Sequence, residues 1–499
     1  MEPIVLIHGF SAESSDSDLQ SIKAIYGTLP DDLRKRFGNR SVVEIDLARY
    51  LSMDDGLGIG DFSMALDRAL NSDFKSLLAT RFNAIVHSTG ALVIRNWVRR
   101  TWNTDPGFVC PAKRIVYLAG ANLGSGLAHV GRTQLAKWYR LLFQGIAGRG
   151  LATLEALELG SDWTLTLHLD LLHYKINDKV MEFCLIGSQP PKEWFLIPIR
   201  YTKEDGSDGV VRVSASNLNF NYLRIEPTDR ARKLSSSDVQ RFAQASRCSE
   251  GDSVKGLDEG LYAIAEPSCP GFDGRAEVPF AVVYGCSHSG DKTGIVSGTD
   301  TREQVMGLLT ASLGAEMPDI ANVKATFDSR TQDTYEMART AGPTRNKLIG
   351  KINVQKQYDK HSQVIFRIKD QFGRPVQHFG IYFNSLGGGT PLRSIDGLFE
   401  DSHANEISPN IITFYLRSDS YNPASAGGSW VPSLPFVNGC TMEIDAHEPL
   451  TERVQFLPLH LTLSASDLER WVQPHRTTIV DVALLRTPVQ EVLSLTRLP

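Results

Sequence analysis

Cysteine is scarce in this 499-residue chain: Cys110, Cys184, Cys248, Cys269, Cys286 and Cys440 stand apart, with no CxxC pair and no Cys/His cluster. That scatter argues against a cysteine-ligated zinc site and a dense disulfide framework, so reduced, mostly buried thiols are expected. Long apolar runs are missing as well. A bilayer-spanning helix needs roughly 20 consecutive apolar residues, and charge interrupts every run well short of that. The chain enters on Met1-Glu-Pro-Ile-Val-Leu-Ile-His8, without a basic segment or an extended apolar stretch. No Sec-type signal is legible there, and the expectation is a cytoplasmic or peripherally membrane-associated protein. Charge of one sign is not in excess either: 52 Lys and Arg stand against 57 Asp and Glu, a formal net charge of -5. That balance leaves no electrostatic footprint for nucleic acid.

What is present is the composition of a globular protein, 42% hydrophobic and 22% charged. A single hydrophobic core stops growing at roughly 250–300 residues, so more than one domain is expected. Short apolar runs alternate with helical patterns through the first part of the chain, as β/α units of a parallel sheet do. The strand candidates are Ile4 to Ile7, Val42 to Leu47, Ala84 to Val86, Ile115 to Leu118, Phe183 to Ile186 and Phe280 to Tyr284. Helical spacing marks Leu66 to Leu78 and Leu92 to Trp102. From about 122 to 172 the pattern changes to glycine-rich turns around Gln134-Leu-Ala-Lys-Trp-Tyr-Arg-Leu-Leu-Phe143, followed by the alternating Trp163, Leu165, Leu167 and Leu169. This reads as an insertion. A polar tract, Thr331 to Lys351, precedes alternating segments such as Gln363-Val-Ile-Phe-Arg-Ile-Lys369 and Ile411-Ile-Thr-Phe-Tyr-Leu-Arg417. The expected division is a parallel α/β domain over 1–335 and an all-β, sandwich-like domain over 350–499.

Val86-His-Ser-Thr-Gly90 lies between a strand and a helix, where a sharp turn can lift a serine hydroxyl clear of the backbone. Ser88 is the candidate nucleophile, although Val86 occupies a position where glycine is usual. A serine needs a base to take its proton and backbone N–H groups to receive the oxyanion. Leu6-Ile-His-Gly-Phe10 ends the first strand, so Phe10 and Thr89, the residue after Ser88, are the natural oxyanion donors. In Lys203-Glu-Asp-Gly-Ser-Asp-Gly-Val-Val, Asp208-Gly offers a tight turn that directs a carboxylate at a histidine, with Asp205 as the competing acid. The base follows the last strand, in Phe280-Ala-Val-Val-Tyr-Gly-Cys-Ser-His288-Ser-Gly. Ser88, Asp208 and His288 thus occur in the chain order of the α/β-hydrolase fold. His8 and His87 flank the same region within backbone motifs, and Gly56-Leu-Gly-Ile-Gly60 lacks the spacing and context of a phosphate-binding turn.

With those residues placed, the chain resembles bacterial α/β-hydrolase lipases, and most closely the PlaB-type phospholipase A/lysophospholipase A family. The resemblance rests on His87-Ser-Thr-Gly90, Ser207-Asp-Gly-Val-Val-Arg-Val213 and His288-Ser-Gly290. Leu118-Ala-Gly-Ala-Asn-Leu-Gly-Ser125 looks like the loop that borders the acyl pocket in many lipases. The family resemblance implies lipid-ester cleavage without a cofactor or metal, tolerance of a turn lacking the first glycine, and a β-rich C-terminal domain. Trp138, Leu141, Leu142 and Phe143, interleaved with Lys137 and Arg140, make an apolar face with a basic edge. That segment either lies on an anionic bilayer and covers an acyl groove or packs on the core. The expected partner is a phospholipid or other acyl-ester lipid, with peripheral membrane contact and homo-oligomerisation open. An acyltransferase using the same acyl-enzyme, and a catalytically silent scaffold that binds a partner, are the competing readings.

Overall fold

The computed structural model describes residues 2–8, 25–38, 42–51, 56–104, 107, 109–125, 151–176, 179–190, 204–248, 260–265, 275–342, 344–346, 350–386, 399–425, 427–433 and 439–489. It separates into two compact units, Met1–Asn219 with Cys269–Lys360 and Ser420–Val431, and Phe220–Ser268 with His361–Asp419 and Pro432–Pro499. The strands up to the last one of the first sheet are β1 (Ile4–His8), β2 (Val42–Asp46), β3 (Phe82–His87), β4 (Ala112–Leu118), β5 (Met181–Gly187), β6 (Asn221–Pro227), β7 (Tyr262–Ala265) and β8 (Phe280–Val283).

Six of these form one sheet in the order β2-β1-β3-β4-β5-β8, with every neighbouring pair parallel. Each holds one of the apolar runs picked out in the sequence. Parallel strands covered on both faces are apolar almost throughout, and β5 is buried at every position. The expected helix Leu66 to Leu78 is instead two, Ile59–Asn71 and Lys75–Thr80. The first helix ends at Ser72, whose backbone leaves helical geometry at φ -106° and ψ -89°, and the Phe74 N–H then reaches back to the Ala69 carbonyl at 3.1 Å. Gly58 caps that helix, so the Gly56–Gly60 stretch is a helix entry.

The segment read as an insertion is partly a crossover. Residues 126–150 lie outside the described residues, but Leu151–Leu157 and Asp162–His173 are helices that lead from β4 to β5. The second packs on the helix Gly90–Thr104, with Arg99 Nε 2.6 Å from Asp170. Its apolar spacing imitates a strand because Leu165, Leu167, Leu171 and Leu172 are all buried, leaving no single stripe; the Ser161 cap on the Thr164 N–H marks its start.

His168 on this helix is fully enclosed and donates from Nε2 to the Asn122 carbonyl. Burial, helped by the charge of Arg95, holds its pKa well below 6.5. An unfolded chain takes up a proton there as the pH falls past about 6.5, whereas the folded chain resists it, so stability present above that pH is lost below it. His168→Gln is therefore expected to flatten the pH dependence of unfolding free energy between about pH 6.5 and 5, by up to about 1.4 kcal/mol per pH unit. Urea titrations at several pH values measure this, and parallel slopes for both proteins would count against it.

The polar tract Thr331 to Lys351 begins inside the helix Ile320–Thr340, whose Thr331 and Thr334 hydroxyls bond the N–H and carbonyl of Val282 on β8, at 3.1 and 2.7 Å. Beyond a hairpin of β9 (Thr344–Asn346) and β10 (Gly350–Ile352) come β11 (Lys360–Asp370), β12 (Phe379–Ser385), β13 (Phe399–Ala404), β14 (Ile411–Asn422), β15 (Ser429–Pro432), β16 (Cys440–Ala446), β17 (Val454–Phe456), β18 (Leu459–Leu463), β19 (Thr477–Leu484) and β20 (Arg486–Pro488).

The second unit is β-rich as expected, but it draws on chain that the sequence assigned to the first. Its larger sheet runs β13-β14-β11-β19-β6-β7, with β15 on β14; a smaller one runs β12-β16-β18. Leu223, Val364, Phe366, Ile368, Val480 and Val482 of the first meet Ile381, Met442, Ile444 and Leu459 of the second in one core, the packing of a sandwich. It is not purely antiparallel, since β11, β19 and β6 run parallel. The strand β6 is here for a physical reason. Leu223 and Ile225 point into the core while Tyr222, Arg224 and Glu226 stay partly exposed, an alternation that suits a one-sided sheet and not a doubly covered one.

Candidate active site

In the first sheet β1 and β3 are neighbours, and the chain runs outward from them in opposite directions, to β2 on one side and β4 on the other. The crevice beyond the carboxyl ends of such a pair is where open α/β sheets bind ligands. Ser88 follows β3 at this point. Its φ of 53° is left-handed, a conformation that costs a non-glycine residue about 1–3 kcal/mol and persists only when its surroundings fix it. Here the Ser88 N–H donates to the Leu118 carbonyl, and the Ser88 carbonyl accepts from Ala91 and Ala121, all at 3.2 Å. Val86 faces Gly90, where even an added Cβ would sit 3.4 Å from the Val86 Cβ, so the β-branched side chain fits at this turn.

Asp208 is completely buried in a turn between Gly206 and Gly209, both left-handed, at φ 72° and 96°. Its Oδ1 accepts the Val210 and Val211 N–H groups at 2.9 and 2.8 Å, which aims Oδ2 at His288 Nδ1, 2.9 Å away. His288 Nε2 lies 3.0 Å from Ser88 Oγ. The backbone repeats the link, since the His288 N–H donates to the Asp208 carbonyl at 3.1 Å. The structure thus brings together Ser88, His288 and Asp208, and leaves Asp205 aside, its carboxylate turned to Lys356 Nζ at 3.9 Å.

Thr89 is buried at the start of the helix, next to Ser88. Phe10, Trp138, Leu141, Leu142 and Phe143 lie outside the described residues. The loop after β4 packs beneath Ser88: Ala121 holds its carbonyl, and Asn122 Nδ2 donates to Ser216 at 2.8 Å. The sequence reading placed His87 at the flank of the site within a backbone motif and gave it no contact; its Nε2 donates to the His288 carbonyl at 3.1 Å and its ring lies 4.7 Å from that of His288. Its place beside the candidate nucleophile was the available signal. Gly187 was missed too. A Cβ there would fall 2.0 Å from the Cys286 carbonyl oxygen, so only glycine lets β5 approach the His288 loop.

Among the described residues no group of three or more His, Cys, Asp or Glu is placed to hold a metal ion, and no helix is long and apolar enough to cross a membrane. Cys110, Cys184, Cys286 and Cys440 are buried, and burial pushes each thiol up to about 12, which leaves them protonated and inert. The site presents a hydroxyl on a strained turn, hydrogen-bonded to an imidazole whose far nitrogen meets a buried carboxylate.

A parallel sheet of this order, with the serine turn after β3, the acid after β5 and the histidine after β8, defines an α/β-hydrolase fold. No protein-family model matches the sequence, and no curated protein matches it. Among solved structures, the phospholipase PlaB from Legionella pneumophila aligns with a TM-score of 0.76 at 22% identity, over 100% of this chain and 96% of that one. Its complex with thio-NAD gives 0.75 at 21% over the same shares. The Bacillus licheniformis lipase BlEst2 in mature form gives a TM-score of 0.31 at 15% identity, over 44% of this chain and 80% of its own. The resemblance first met in three short motifs therefore extends, as a likeness of fold, through the hydrolase sheet and the β-rich unit of PlaB.

Proposed function

We propose that this chain is a serine carboxylic-ester hydrolase of lipid esters, acting as a phospholipase A and lysophospholipase A. The observation that carries the reading is the continuous relay from Ser88 Oγ through His288 to Asp208 at the switch point of the sheet. His288 Nε2 takes the hydroxyl proton as Ser88 Oγ attacks the acyl carbonyl carbon, and Asp208 holds the imidazolium. The Thr89 and Phe10 N–H groups receive the oxyanion, a contribution of about 10²–10³ in rate per donor in comparable sites. His288 then gives its proton to the leaving alcohol. Water, deprotonated by the same imidazole, releases the acid from the acyl-enzyme. Neither half changes an oxidation state, so the steps balance with proton transfer through His288 alone.

The lipid is supported by the fold shared with PlaB, a phospholipase, and by the apolar, basic-edged segment around Trp138, Leu141, Leu142 and Phe143, for which peripheral contact with a membrane is the proposed role. A fluorophosphonate probe is expected to add one phosphonyl group, at Ser88, in the folded protein. Mixed phospholipid vesicles should yield fatty acid and lysophospholipid, then the deacylated glycerophospho-headgroup, by mass spectrometry. Unlabelled Ser88 with intact lipids would remove the proposal in favour of a silent scaffold. Acyl chains appearing on an added alcohol at the expense of free acid would replace hydrolysis by acyl transfer.

A further inference from the structure

A short segment remote from the reacting groups in sequence touches both loops that carry them. It is the turn Val354–Tyr358, which follows the β9–β10 hairpin. The Gln357 carbonyl accepts the Gly206 N–H at 3.1 Å, two residues before Asp208, and the Ser188 hydroxyl at 2.9 Å, just past β5. The Tyr358 hydroxyl accepts the Gly285 N–H at 2.9 Å, three residues before His288. Both N–H donors belong to glycines in left-handed turns, Gly206 at φ 72° and Gly285 at 71°, so each loop bends so as to present an amide to this segment.

The segment is itself fixed on all sides. Gln355 Nε2 donates to the Ala341 carbonyl at 2.8 Å, tying it to the end of the helix Ile320–Thr340. Tyr358 is fully buried, its ring stacked on Tyr284 at 5.6 Å and 19° and met edge-on by Tyr335 at 6.1 Å and 83°. Tyr335 in turn meets Trp430 edge-on at 4.9 Å, and the next residue of the turn, Asp359, accepts the Tyr421 N–H at 2.8 Å. Burial keeps the Tyr358 phenol protonated, so its oxygen remains a neutral acceptor for Gly285.

We propose that Gln357 and Tyr358 are positioning residues: through the Gly206 and Gly285 amides they hold the Asp208 and His288 loops in the relative placement the proton relay requires. This inference rests on the esterase reading. Its physical basis is that a relay of hydrogen bonds at 2.9 and 3.0 Å tolerates little displacement, and a misplacement of about 1 Å can cost about 10²-fold in rate. The loops are joined directly by the Asp208–His288 bonds, but those bonds are what must be aimed; the turn supplies a reference outside them.

The test is the second-order rate constant for fluorophosphonate labelling of Ser88 in the full chain, followed across pH. Tyr358→Phe keeps the ring stack and withdraws only the acceptor oxygen. It is expected to lower the labelling rate constant about tenfold or more and to change its pH dependence, because the relay that carries the Ser88 proton is no longer aimed. Gln355→Ala touches neither loop; by freeing the turn from the helix end it should lower the rate constant about fivefold. It decides the matter should Tyr358→Phe not accumulate as folded protein. A purely structural role would reduce the fraction of protein that labels while leaving rate constant and pH profile as in the wild type, and that result would overturn the proposal. A wild type that does not label at all would instead remove the esterase reading on which it rests.

Discussion

Ser88→Ala is expected to lower turnover of a short acyl ester by about 10⁶-fold and Asp208→Asn by about 10⁴-fold, the scale of such losses in unrelated serine hydrolases. Neither change should disturb the melting temperature greatly. The two act differently. Alanine removes the attacking oxygen, whereas asparagine can keep an oxygen on the Val210 and Val211 N–H groups and turn its amide nitrogen toward His288 Nδ1. The imidazole is then forced to carry its hydrogen on Nε2, facing Ser88, where it can no longer accept the hydroxyl proton. Because all three residues serve one step, Ser88→Ala combined with Asp208→Asn should be no slower than Ser88→Ala alone. Steady-state kcat/KM with a chromogenic ester provides the measurement. An Asp208→Asn enzyme within tenfold of the wild type, with its fold intact, would show that the relay is not the reaction path.

How much of this was legible in the sequence depends on how local each cause is. The six parallel strands stood out because Ile, Val and Leu must fill both faces of a covered sheet, and the order Ser88, Asp208, His288 stood out because a strand-end turn needs small residues around each group. The helix Asp162–His173 was misread as alternating because it is buried on more than one side, which erases its period. The strand β6 had the alternation that placed it in the sandwich, but it sits between two strands of the hydrolase sheet in sequence, and order along the chain was the stronger cue. Gly187 and Tyr358 act through approaches between segments far apart in the chain. No pattern of neighbours encodes those.

The second large effect is on stability, and it arises directly behind the nucleophile. Arg95 lies on the helix that leaves the Ser88 turn, and its guanidinium meets Glu182 of β5 where both side chains are nearly inaccessible, at 4% and 1% exposure. The Tyr117 hydroxyl donates to the same Glu182 oxygen at 2.6 Å. Burial works against the Arg95 charge, yet Glu182 holds the guanidinium above its ordinary pKa, while burial and then Glu182 raise the Tyr117 phenol. Such a pair gains little over well-packed apolar residues, because desolvation offsets most of the attraction; removing one member leaves a charge with no counterpart in a low-dielectric interior. Glu182→Ala is therefore expected to cost about 3–5 kcal/mol, whereas Arg95→Met with Glu182→Leu should recover most of it. Urea midpoints separate the two outcomes, and a single variant as stable as the double one would contradict the buried pair. Since Arg95 anchors the helix whose first turn fixes Ser88, Glu182→Ala should also lower the fraction of protein that reacts with a fluorophosphonate, and the double variant should restore it along with the fold.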